Sequence, residues 1–136
     1  MNEIKQISAG EGYAHASAGT PSDFTGKAFL KDAAGTTSCE ISFGSLASGE
    51  AVPFFHDHKE NEEIYIILSG SGRFQVDAAA FDISAGSIVR VSTGHSRCMK
   101  NGSGGTMVYL CVQAKEQSLS RWVMEDAVIT EVTPAL

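Results

Sequence analysis

The sequence predicts an all-β sandwich or barrel. Three observations carry that reading. Short apolar runs are rich in β-branched and aromatic residues, as in Ile64-Tyr65-Ile66-Ile67-Leu68, types that suit a pleated, buried surface. These runs recur at nearly regular spacing. Turn residues divide them, and the fourteen glycines are spread along the whole chain.

The elements follow in order. Residues 8–26 are rich in Gly, Ser, Ala and Thr and read as irregular. The expected organisation is an N-terminal arm over 1–26, packing on the barrel or on a partner, and one β-domain over 27–136. Cys39, Ile41 and Phe43 alternate with Ser38, Glu40 and Ser42, the period-two pattern of a half-buried strand. The run 63–68 reads as a well-buried strand. Ser69-Gly70-Ser71-Gly72 then turns the chain into 73–77, which predicts a hairpin. Further short strands are expected at 81–83, 88–91, 97–100 and 106–112. Turn signals at Ser84-Ala85-Gly86 and at 101–105 separate them. Only the tail around 117–126 offers a helical turn or two, and no repeat or heptad is present.

Composition narrows the function classes. At 136 residues, 43% apolar and 19% charged, the chain is one globular domain rather than a disordered segment. Sixteen acidic against ten basic side chains give a net charge of −6. That balance, without a basic face, excludes a nucleic-acid or anionic-membrane partner. No apolar run approaches the roughly 18–20 residues of a membrane span, and the first residues lack the apolar stretch of a signal peptide. Cys39, Cys98 and Cys111 form no CxxC pair. A reduced, cytosolic protein is the expectation.

The stretch from Gly49 to Glu63 holds the chemistry. In an extended segment His56 and His58 project from one face. Glu63 opens the following strand and can return its carboxylate to that face. Two imidazoles and a carboxylate suit a first-row divalent metal. Phe54 shares the face of the histidines and Tyr65 that of Glu63, so the site would be walled by apolar groups, as small-molecule pockets usually are. The same residues also read as two surface histidines in a charged loop, because 57–63 is very polar. Glu62 has the opposite parity to Glu63 and should face away. Cys98 should lie on the other side of its strand from Arg97. Cys39 and Cys111 read as core packing, and Trp122 as the cover of a barrel edge or a dimer seam.

From Gly49 to Gly70 the chain resembles the first motif of the cupin superfamily: Gly, a short spacer, His-x-His, four residues, Glu, six residues, Gly. His56, His58, Glu63 and Gly70 fall in place. The spacer after Gly49 is six residues where the family usually has five, a small loop change. The second motif is normally Gly, five residues, Pro-x-Gly, two residues, His, three residues, Asn. Gly86, Gly94 and Asn101 hold their positions, whereas Ser92 replaces the proline and Arg97 replaces the histidine. The resemblance spans roughly residues 40–112. It implies a double-stranded β-helix (a jelly-roll barrel), with one divalent metal such as Fe, Mn, Ni or Zn near its centre. It also implies a homodimer.

Arg97 departs from that pattern where the family has its fourth ligand. An arginine stays protonated and offers no lone pair. Three readings follow. The metal keeps His56, His58 and Glu63 alone; or His95 supplies the missing imidazole; or no metal binds, and Arg97 pairs with Glu63 in its place. With a metal bound, Arg97 would point into the cavity and take a substrate anion, with Tyr65 and Phe54 lining the pocket. The leading expectation is a small cupin that holds a divalent metal beside a pocket for a small polar or anionic metabolite. As an enzyme it would be a metal-dependent oxygenase or an isomerase. The alternatives are a metal-free binding or sensing module and a sugar or small-acid isomerase that uses Glu63 or a histidine as base.

Overall fold

The computed structural model describes residues 2–119 and 121–136. The predicted all-β class is what the chain adopts. β1 (Lys5–Gly10) and β2 (Tyr13–Ser17) form a two-stranded hairpin. A five-stranded antiparallel sheet has the order β3 (Lys27–Phe29), β4 (Glu40–Leu46), β10 (Met107–Lys115), β5 (Asn61–Ser69), β8 (Ile88–Val91). A three-stranded sheet has the order β7 (Ala79–Ser84), β6 (Ser71–Val76), β9 (Arg97–Asn101). One short helix, α1 (Lys31–Ala34), lies between β3 and β4.

Strict alternation builds the core. On β5, Glu63, Tyr65 and Ile67 are buried, while Ile64, Ile66 and Leu68 on the other face are half-buried. On β9, Arg97, Met99 and Asn101 are buried. The two larger sheets meet through these inward faces: Tyr65 of β5 and Phe74 of β6 pack edge to face with ring centroids 5.0 Å apart. Leu46, Ile67, Ile83, Val91, Met99 and Met107 complete the same cluster. Asn101, wholly buried, ties loops to it. Its amide donates to the carbonyls of Leu46 and Gly105 at 2.9 and 2.8 Å, and its Oδ1 accepts from the backbone and hydroxyl of Ser103.

Four expectations are corrected. The turn at 69–72 makes no hairpin, because β5 and β6 lie in different sheets. Gly70, at φ +86°, carries the chain round the corner. A Cβ there would sit 2.9 Å from the Met107 Cα, so both conformation and space call for glycine. The hairpin forms one element later, between β6 and β7. Residues 5–17 are a paired hairpin rather than irregular chain. On β4 the inward residues are Ser42, Gly44 and Leu46, not the apolar set Ile41 and Phe43. Phe43 instead meets the fully buried Phe24 at 5.5 Å between ring centroids, so the segment after the hairpin covers the outer face of β4. The inward Gly44 leaves room for the Tyr109 ring, which a Cβ there would overlap. Trp122 is 75% exposed beside a 3₁₀ turn, Met124–Asp126, which removes the barrel-edge half of its expected role.

The segment between β4 and β5 has no extended ladder, yet it runs along β9. Isolated bridges join Ala51 to Lys100 and His56 to Arg97. The Val52 N–H donates to the Met99 carbonyl at 3.0 Å, and the Arg97 N–H to the His56 carbonyl at 2.9 Å. This lacing sets the His-x-His segment beside the strand that carries Arg97.

Candidate metal centre

His56 and His58 leave the laced segment with their rings 5.2 Å apart, edge to face. Both aim Nε2 at one atom, Oε1 of Glu63, from 3.4 and 3.2 Å. Glu63 is 5% exposed at the start of β5. The donor atoms of His56, His58 and Glu63 all lie within 4.8 Å of one another. Such a nitrogen, nitrogen, oxygen set could hold a first-row divalent ion.

The surroundings hold Glu63 in one pose. The Tyr65 hydroxyl donates to Oε1 at 2.8 Å, and the Cys111 thiol donates to Oε2 at 3.1 Å. Burial alone would raise its pKa. The bonds from Cys111 and Tyr65 and the nearby positive charge outweigh that and hold the carboxyl below its usual value. Burial also lowers His56, with Arg97 and His58 adding to the effect against the pull of Glu63. The neutral form that binds metals is therefore favoured. Burial and the Glu63 charge push the Cys111 thiol well up, so it stays a neutral donor. One nitrogen shows the fit to an ion directly: Nε2 of His58, which faces Glu63, is buried without a hydrogen-bond partner. A lone pair held in that way is ready for a cation.

Above the three donors opens a cavity of about 280 Å³. Val52, Phe54, Phe74, Met99 and Tyr109 form its apolar wall, and Lys27 and Gln113 also line it. Phe54 stands edge-on to His56 at 5.7 Å. Burial pushes the Tyr109 hydroxyl up to about 12.

Comparison with known proteins places the chain. Residues 42–113 match the cupin domain family. A solved structure of a cupin protein from Bacteroides fragilis is 36% identical, over 79% of this chain and 91% of that one, with a TM-score of 0.74. The chain is a cupin. A cupin 2 conserved barrel protein from Salinispora arenicola shares the fold at 23% identity and a TM-score of 0.54, over 62% of this chain and 69% of that one. No curated protein matches the sequence. The fold is accordingly the double-stranded β-helix that the motif implied.

In this cupin the second-motif position holds Arg97, 1% exposed. Its Nη1 approaches Oε1 of Glu63 at 3.4 Å without a hydrogen bond, and its Nη2 donates to the Ser92 carbonyl at 3.3 Å. His95 does not join the group. Its Nδ1 lies 2.7 Å from Asp77 Oδ2, and its side chain is 54% exposed. The chain turns at Thr93 and Gly94, with the Gly94 N–H on the His58 carbonyl, and this sends the His95 ring outward. Glu62 faces away as expected and pairs with Arg90 at 3.1 Å. Tyr65 and Phe54 both line the cavity. Cys111 sits in the core as the sequence suggested, and its bond to Glu63 is what the sequence did not show. No local pattern marks that bond, because β10 register alone sets Cys111 opposite Tyr65.

The Asp77–His95 contact predicts a pH dependence. The bond from His95, then the Ser96 N–H, hold the Asp77 carboxyl below its ordinary 3.8. A depressed folded-state pKa gives stability that is present above 3.8 and lost as pH falls through the folded value. Asp77→Asn keeps a residue that tolerates φ +48°. It is expected to melt below wild type at pH 6, the gap closing as pH falls below the ordinary value. Thermal melts at both pH values check this; a gap that widens with acid contradicts it.

Proposed function

We propose that this cupin holds one divalent transition-metal ion through His56, His58 and Glu63, beside a pocket that takes a small polar or anionic metabolite. The convergence of three donor atoms within 4.8 Å at the base of the cavity carries the reading. Iron, manganese, nickel and zinc all accept such a set. When bound, the ion would supply Lewis-acid or oxygen-activating chemistry. The chain's own groups have separate tasks. Tyr65 and Cys111 fix the Glu63 rotamer, Arg97 presents positive charge to the ligand, and Phe54 with its neighbours gives the pocket its apolar wall. Three free cysteines accord with a reducing, cytosolic setting.

A metal-free binding module is a second reading. The 3.4 Å approach of Arg97 to Glu63 favours it, since the guanidinium already balances the carboxylate. Calorimetric titration of untagged, metal-free protein with Ni²⁺ separates the two. Metal binding predicts one site per chain, weakened at least roughly 100-fold by His58→Ala. Equal titration curves for wild type and variant would refute it.

A further inference from the structure

We infer that this cupin binds its metal and a small carboxylate with an apolar body cooperatively, with Arg97 as the coupling residue. The inference rests on the metal reading above.

Glu63 is the shared acceptor of the site. Its Oε1 serves His56, His58, Tyr65 and Arg97 together, and its Oε2 is taken by Cys111. A divalent ion on that carboxylate takes up the only acidic group within 4 Å of Arg97 among the described residues. With neutral imidazoles as ligands, the ion and the guanidinium then share one negative charge, an excess of two positive charges. Arg97 is 1% exposed, and buried charge without a countercharge is strongly unfavourable. A histidine at this position would add no such charge.

Arg97 also has donors to give. Nε and Nη1 are buried without hydrogen-bond partners, and the Ser92 carbonyl engages only Nη2. A carboxylate that reaches both the ion and Arg97 would neutralise the excess and use those donors. The rest of the cavity defines the other end of the ligand. Phe54, Phe74, Met99 and Tyr109 offer apolar surface, with Lys27 and Gln113 the polar groups beyond the donors and Arg97, fewer than the many hydroxyls of a sugar would need. At about 280 Å³ the space lies at the small end for ligand pockets. A compact aryl or alkyl carboxylate fits both ends. Because coupling is reciprocal, the anion must tighten the metal as much as the metal tightens the anion.

The test is a Ni²⁺ titration of untagged wild-type protein alone and with saturating acetate, benzoate, benzamide or glucose. Benzoate is expected to tighten Ni²⁺ at least tenfold, toward the lower end of the range for coupled sites. Acetate should act more weakly, and benzamide and glucose by less than twofold. In Arg97→Met the ion should still bind and the benzoate effect should vanish. Arg97→Lys, which keeps a charge, should retain part of it. If neither carboxylate changes wild-type Ni²⁺ affinity by more than twofold, the coupling is overturned while metal binding stands. If Ni²⁺ fails to bind under every condition, the metal reading itself falls and the coupling with it.

Discussion

Glu63→Gln is expected to lower the stability of the metal-free protein by about 3–5 kcal/mol, the usual cost of removing one partner of a buried ion pair. The substitution keeps volume and a carbonyl that can accept from Tyr65, so packing changes little. What it removes is the only carboxylate within 4 Å of Arg97 among the described residues, at 3.4 Å, with both groups almost entirely buried. The guanidinium then keeps its charge with no counterpart. Urea unfolding in chelator measures the loss. Adding Arg97→Met should recover most of it, because a buried pair can often be replaced by apolar residues at little cost. A single-variant loss below about 1 kcal/mol would mean that Glu63 does not balance Arg97.

Phe74→Ala is expected to cost a similar amount, about 3–5 kcal/mol, the range for large-to-small changes at fully buried aromatics. Phe74 is 1% exposed, edge-on to Tyr65 and stacked on Phe81 with centroids 5.7 Å apart. It also lines both the main cavity and a shallower one beside Phe55, Gln75 and Ala80. Truncation should therefore join the two spaces as well as weaken the core. Denaturant unfolding reads the stability, and a loss under about 1 kcal/mol would contradict its place at the centre of the core.

Much of this was legible in the residues because local rules decide it. β-branched and aromatic content located β5, strand parity turned Glu63 toward the histidines, and the strand expected at 88–91 coincides with β8. His-x-His followed by Glu put three donors on one site because parity and spacing suffice. What was illegible depends on partners far along the chain. A glycine-rich turn permits a hairpin or a corner between sheets, and nothing in 69–72 tells which. The first hairpin was hidden because β1 is exposed along its whole length, so no apolar face announces it. On β4 Ser42 and Gly44 turned inward because the Tyr109 ring lies against Gly44, which reverses the ordinary alternation rule. His95 shares the parity of Arg97, yet the turn at Gly94 breaks the extended geometry that parity assumes. Cys111 reaches Glu63 across 48 residues of sequence, a distance that only strand register closes.

Elemental analysis of untagged protein purified without chelators, beside His56→Ala, tests the metal centre most directly. The account predicts close to one equivalent of iron, manganese, nickel or zinc in the wild type and its loss in the variant. Absence of metal from both, even after reconstitution, would contradict it and leave the Arg97–Glu63 contact as the centre of the site.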